Sequence, residues 1–310
     1  MKNIFSITKT ELENYFINIG DKKFRASQIY EFLYKKRIYD VNNMNNIGKN
    51  IKENLLNNFD FSFIKIKLKQ EDTDVKKYLF ELSDGNLIES VLMYHDYGIS
   101  ICVSSQVGCN MGCAFCESGR LKKVRNLETY EVVQQLLLIE EDIKERISHV
   151  VVMGIGEPFD NYDNIMNFIK IINDPKGIDI GARHITVSTC GIVPKIKEFT
   201  KDFNQVNLAI SLHAPNDKIR NQIMPISKAY NLNELMNSIK EYINLKPVKK
   251  VKKTVTKKKV EKLPYKNINE FVKEKMTFGG MFNYGSELSD DDLLLLKKLI
   301  IQEQNKRKQK

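Results

Sequence analysis

At 310 residues the chain is long enough for one large domain of about 200 residues and a smaller one. A formal charge of +10 and a pI near 9.1 fit an anionic partner such as RNA. No run of about 18 apolar residues is present, and the opening MKNIFSITKTELENYF is too polar for a signal peptide, which predicts a soluble, cytoplasmic protein with no membrane partner. Five cysteines without an export signal argue against a disulfide framework and for metal or redox use of the thiols.

Residues 1–70 read as a helical module. Phe24, Ile29, Phe32 and Leu33 form one apolar stripe, and Ile51, Leu55 and Phe59 another. Lys22, Lys23, Arg25, Lys35, Lys36 and Arg37 surround them, as either an RNA-facing surface or a solvated helix pair packed on the main domain. Residues 71–98 read as a β-hairpin linker. Tyr78, Phe80 and Leu82, then Leu87, Glu89, Val91 and Met93, alternate about the turn Ser83-Asp84-Gly85-Asn86. The second arm carries Glu89 inside an apolar run, where a buried charge needs a partner or a purpose.

Residues 99–245 alternate strand and helix patterns. Ile101–Val103, Val150–Met153, Ile185–Val187 and Val206–Leu212 read as strands buried on both faces. Helical spacing joins Val132, Leu136, Ile139 and Ile143; then Ile165, Phe168, Ile169 and Ile172; then Leu232, Leu235, Met236, Ile239, Tyr242 and Ile243. Repeated βα units predict an α/β fold whose parallel sheet is open or curled into a barrel, with function at the strand ends. Residues 246–310 break this pattern. The tract 246–262 has nine Lys in seventeen positions, too charged for a buried strand, and reads as an exposed or disordered segment, RNA-contacting or merely solvated. A closing helix starts at the capping-box-like pair Ser289 and Asp292.

The segment GCNMGCAFCESG follows directly on the strand pattern ICVSS. Cys109, Cys113 and Cys116, four and three residues apart, can converge on one [4Fe-4S] cluster if the loop wraps it, and three ligands leave one iron open. That pattern favours a radical S-adenosylmethionine (SAM) site over structural zinc, which needs a fourth Cys or His, and over inert thiols. Gly154-Ile155-Gly156-Glu157-Pro158 is a tight turn or, at the end of a strand in the same series, a contact for the amino group of SAM. Ser188 and Ser211, Leu212 and His213 stand at later strand ends, where His213 alone could equally be a satisfied core or capping residue.

CVSSQVGCNMGCAFC, VVVMGIGEPFDNYDN, HITVSTCGIVP and NLAISLHAPNDKIRNQIMPI closely resemble the dual-specificity RNA adenine-C2 methyltransferases, which modify 23S ribosomal RNA and tRNA. KKFRASQIYEFLYKKRI resembles that family's amino-terminal RNA-binding module. The resemblance, covering about residue 10 to 243, implies a partial (β/α) barrel of the radical SAM type with a small N-terminal helical domain. It implies a cluster on Cys109, Cys113 and Cys116, SAM against Gly156, Glu157, Ser188, Ser211, Leu212 and His213, and Asn283 as a further SAM contact. It makes Glu89 the general base and Cys102 the thiol that resolves a covalent RNA adduct. It also implies a monomer that takes electrons from a donor such as flavodoxin or ferredoxin.

The family carries the methyl group on a cysteine near its carboxyl terminus, and that cysteine is missing here. Cys190 is the spare thiol, a buried small residue before it is a substitute carrier. Two expectations follow: an RNA methyltransferase divergent or truncated at its carboxyl end, or a cluster-, SAM- and RNA-binding protein that does not complete methyl transfer. The related adenine-C8 methyltransferases share the cluster and both cysteines and rank behind the C2 reading.

Overall fold

In a computed structural model of the chain the described residues are 1–245 together with two short paired strands, Thr277–Phe278 and Met281–Phe282. The Lys tract at 246–262, Asn283 and the closing helix expected from Ser289 lie outside them. The chain divides into two units, Met1–Val248 and Lys249–Lys310.

Strand β1 (Lys2–Asn3) leads to α1 (Lys9–Asn18), which begins at a capping box: the Thr8 hydroxyl accepts the Glu11 N–H at 3.3 Å, and the Glu11 carboxylate accepts the Thr8 N–H at 2.7 Å. Helix α2 (Phe24–Tyr30) runs into a π-turn at Glu31–Lys35, and α3 (Lys49–Asn58) ends where β2 (Phe59–Asp60) pairs in parallel with β1. Phe5, Leu12, Phe16, Ile29, Leu33, Ile51 and Leu55 form the core of this module. Phe24 leaves its expected stripe: it is 47% exposed, under the Arg25 guanidinium 4.9 Å from the ring centroid. The module is bonded to the rest of the first unit. Tyr130 N–H donates to Ser6 Oγ at 3.0 Å, Lys9 pairs with Asp174 at 3.0 Å, and Arg37 pairs with Glu140.

A seven-stranded sheet follows, in the order β11-β10-β9-β6-β5-β4-β3. Here β3 is Lys65–Glu71, β4 Val75–Glu81, β5 Leu87–His95, β6 Gly98–Val103, β9 His149–Val152, β10 Ile185–Thr189 and β11 Asn207–Ile210; a separate short pair, β7 (Gln106–Val107) and β8 (Arg125–Asn126), is antiparallel. The hairpin read at 71–98 forms, as β4 and β5, and continues without a break into β6, which is antiparallel to β5 and parallel to β9. Strands β9, β10 and β11 are parallel, as in a partial (β/α) barrel.

Strands β5, β6, β9 and β10 bury chiefly one face, contrary to the burial on both expected of the last three, and β11, expected to be buried likewise, is half-buried along its whole length. Ile88, Leu92, Ile101, Val103, Val150, Val152, Ile185 and Val187 are fully buried with Val132, Leu136 and Ile139 of α4 (Thr129–Ile143) and Ile165, Phe168 and Ile172 of α5 (Tyr162–Asn173). Each such side chain stabilises the fold by about 1.5–3 kcal/mol. The alternate residues Glu89, Val91, Cys102, Val151, Thr186 and Ser188 are half-buried on the other face. Helices α6 (Val193–Asp202), α7 (Asp217–Ile223) and α8 (Leu232–Leu245) complete the unit. Among the described residues no helix is long and apolar enough to cross a membrane.

Candidate functional site

The cysteine loop leaves the sheet after β6 and is pinned at its base before it turns. Val107 pairs with Arg125, the Val124 N–H donates to the Val107 carbonyl at 2.8 Å, and the Cys109 N–H to that of Leu121 at 3.1 Å. Gly108, at φ +73°, lies so close to Lys122 that a Cβ would meet its carbonyl oxygen at 2.3 Å, so only glycine fits. The loop's far side is held by the Ala114 N–H, which donates to the Ile223 carbonyl at the end of α7 at 2.9 Å.

Cys109, Cys113 and Cys116 line one cavity of about 280 Å³, together with Gly156, Glu157, Ser188, Cys190, Ser211 and His213 from the three later strand ends. Among the described residues no three His, Cys, Asp or Glu side chains stand close enough to hold a single metal ion. Thiols that share a cavity without converging on one point suit a cluster, in which each thiolate takes a different iron. Burial pushes the Cys109 and Cys113 thiols up, Cys113 to about 11, and the opposing pull on Cys113 comes from Arg220. The donor set therefore fits a [4Fe-4S] cluster and leaves polar groups facing it for a second ligand.

Glu157 is 3% exposed, and burial raises its carboxyl above the usual range. Both oxygens are engaged: Oε1 accepts the Phe159 N–H at 3.0 Å and Oε2 the Cys190 N–H at 2.7 Å. It thus ties the end of β9 to the end of β10 while facing the cavity. Gly156 takes φ +105°, and a Cβ there would stand 2.6 Å from that of Gln106. His213, at φ +54°, is exposed, its ring tilted against Phe115 with centroids 4.2 Å apart across the cavity mouth. Leu212 is expected beside SAM but is not in the cavity wall; it is 39% exposed, and its carbonyl accepts Arg220 Nε at 3.2 Å.

Glu89 and Cys102 are also outside the cavity wall, on the same open face of the sheet. Cys102 is directly opposite Val91, one alternate position from Glu89. Glu89, the charge within an apolar run, escapes the cost of burial: its side chain is 40% exposed, because β5 turns Leu87, Glu89, Val91 and Met93 to the open face. Its partner is Lys77, at 2.7 Å. Ser104 connects this strand to the glycine turn, donating through Oγ to the Glu89 carbonyl at 2.6 Å and accepting the Ile155 N–H at 3.0 Å.

Two site residues lie within the segments that carry the resemblance but are not singled out by the sequence. Gln106, fully buried, accepts the Glu157 N–H at 2.9 Å and donates to Asn126 at 2.8 Å and Asp160 at 2.9 Å, joining the base of the cysteine loop to the glycine turn. Arg220 is fully buried in α7.

The sequence matches the Radical SAM superfamily over residues 103–256 and the ribosomal RNA large subunit methyltransferase N-terminal domain over residues 2–60. It is 53% identical over 249 residues to a "Probable dual-specificity RNA methyltransferase RlmN" of Spiroplasma citri, covering 79% of this chain and 72% of that one. It is 45% identical over 298 residues to the protein of the same name in Listeria welshimeri, covering 94% of this chain and 79% of that one. The fold matches the crystal structure of a radical SAM methyltransferase from Sphaerobacter thermophilus with a TM-score of 0.73 at 33% identity, over 79% of this chain and 74% of that one. With its pinned three-cysteine loop, half-open barrel and N-terminal helical module, the chain belongs to the radical SAM RNA methyltransferases of the RlmN family, enzymes that use a [4Fe-4S] cluster and SAM.

Proposed function

We propose that this protein transfers a methyl group to carbon 2 of adenine in 23S ribosomal RNA and tRNA. It would act as a cytoplasmic monomer, with a flavodoxin- or ferredoxin-type carrier as electron donor. The reading is supported above all by one observation: Glu89 and Cys102 share the open sheet face that also leads to the three-thiol cavity. A base lying on that face meets a carboxylate and a thiol from adjacent strands.

In this reading Cys109, Cys113 and Cys116 would hold the cluster, and Gly156, Glu157, Ser188, Ser211 and His213 would hold SAM. When bound, these groups supply the one-electron chemistry that a carbon as weakly nucleophilic as adenine C2 requires. Glu89 is accessible and takes the C2 proton. Burial raises the Cys102 thiol, so it rests protonated and unreactive until a partner sulfur is presented. The basic residues of the N-terminal module face the RNA backbone.

A second reading, binding without methyl transfer, rests on the thiols. No cysteine follows Cys190 in the 310 residues. Cys190 is 6% exposed, with its N–H on Glu157, its carbonyl on Arg220 and its thiol pushed far up by burial, which is unlike a mobile methyl carrier. The test is mass spectrometry of 23S rRNA and tRNA fragments after anaerobic incubation with SAM and a reductant. 2-Methyladenine supports the first reading. Intact RNA in the presence of bound cluster and SAM supports the second for these 310 residues, and 8-methyladenine overturns the C2 assignment.

A further inference from the structure

Arg220 is the largest fully buried side chain of the described protein. Its Nη2 donates to the Cys190 carbonyl at 2.6 Å and the Ser211 carbonyl at 3.4 Å, and its Nε to the Leu212 carbonyl at 3.2 Å. One guanidinium therefore joins the ends of β10 and β11 just behind the cavity wall, to which Cys190 and Ser211 both belong. The helix that carries it is bonded to the cysteine loop through Ala114 and Ile223, and the next residue along, Met224, lines the cavity.

Within the described residues its charge is not neutralised. Among the described residues no carboxylate forms an ion pair with it; Asp217 acts only at a distance, its Oδ1 being taken by the Leu232 N–H at 2.8 Å. Withdrawing a guanidinium from water is costly, and buried charges are ordinarily paired. Carbonyl acceptors offset part of that cost, yet they leave the full positive charge in place. Hydrogen bonding alone would be met more cheaply by a neutral amide. A cation kept beside a cavity lined by three thiols points to an anionic occupant.

We propose that Arg220 is a positioning residue for the cofactor pair. Its fork shapes the strand ends around Cys190 and Ser211–Leu212, and its charge offsets the three thiolates and the carboxylate of SAM. The inference rests on the family's cofactors and is independent of which carbon of adenine is methylated. A buried positive charge favours the more reduced, more negative cluster, so it raises the reduction potential as well as the affinity for SAM.

The test uses the full chain, reconstituted anaerobically, with iron and sulfide content, a redox titration followed by electron paramagnetic resonance, and a SAM titration. Arg220→Gln is expected to retain iron, shift the cluster potential to more negative values and weaken SAM binding about 10-fold or more. Arg220→Lys keeps the charge and is expected to hold the potential near that of the wild type. A merely structural Arg220 would shift the potential in Arg220→Lys and Arg220→Gln alike, and that result overturns the proposal. Should Arg220→Gln fail to fold, an Arg220→Lys potential well below that of the wild type overturns it instead.

Discussion

The Lys77 ammonium lies 2.7 Å from the Glu89 carboxylate, on neighbouring strands of the open sheet face, with the two side chains 43% and 40% exposed. An ion pair this accessible contributes at most about 1 kcal/mol and opens readily to a polyanion. Glu89→Gln is therefore expected to keep its cluster, its SAM affinity and its melting temperature to within about 4 °C. In any form of the protein that turns over, methylation falls about 10²–10⁴-fold. A melting temperature far below that range would identify Glu89 as a structural residue instead.

Gly156 combines φ +105° with the close approach of Gln106 and Ser105. Gly156→Ala is expected to destabilise the protein by about 1–3 kcal/mol and to weaken SAM binding, because the displaced turn carries Glu157. Urea denaturation and a SAM titration read the two effects. Unchanged values in both would show that the turn relaxes freely.

Three of the four histidines meet at the end of the sheet opposite the cavity. His149 stacks on His184 with centroids 4.4 Å apart, and Tyr97 stands edge-on to His149 at 5.2 Å and stacks on His95 at 4.7 Å. Desolvation, then the neighbouring His184 and His95, hold the His149 imidazole below its ordinary value. Its unfolded form binds a proton at higher pH than its folded form, so stability is present above the ordinary histidine range and declines as pH falls through it. The effect is small, less than about 4 °C between pH 7.5 and 5.5, and His149→Gln should reduce it. Scanning calorimetry across that window checks the sign; a melting temperature that rose on acidification would contradict it.

Asp84 of the hairpin turn accepts Arg125 Nε at 2.6 Å, and Arg125 also donates to the buried Glu131 at 2.7 and 2.8 Å. The bond from Arg125 holds the Asp84 carboxyl well below the usual range. This contribution is present at neutral pH and is lost as pH falls below the ordinary aspartate range. Asp84→Asn should lower the melting temperature by less than about 4 °C at pH 7 and flatten the acid limb.

Features with a local cause were legible in the sequence. The turn Ser83–Asn86 with its alternating arms, the helical periods of α4, α5 and α8, and the cysteine spacing each depend on neighbours a few residues away. Helix α1 was equally readable from Thr8 and Glu11, and α6 from Pro194 with Val193, Ile196 and Phe199 at helical spacing, but both fell between stronger patterns. The strands read as buried on both faces because Val, Ile and Met on the open side look the same in sequence as those on the core side. Gln106 and Arg220 lie within resembling segments but could not be singled out there: a buried polar residue is defined by partners far along the chain, at Glu157 and Asp160 for one and Cys190 for the other.

The cysteine loop is closed by protein bonds, through Val107 with Arg125, Cys109 with Leu121 and Ala114 with Ile223. Many small metal sites have no shape until the ion binds, and they unfold when it leaves. Here iron has no such task, so Cys113→Ser should abolish cluster content yet melt within about 4 °C of the metal-free wild type. Cluster loss and unfolding are then expected to be separate events, so protein stripped of iron should regain its iron and sulfide on reconstitution without a denaturing step.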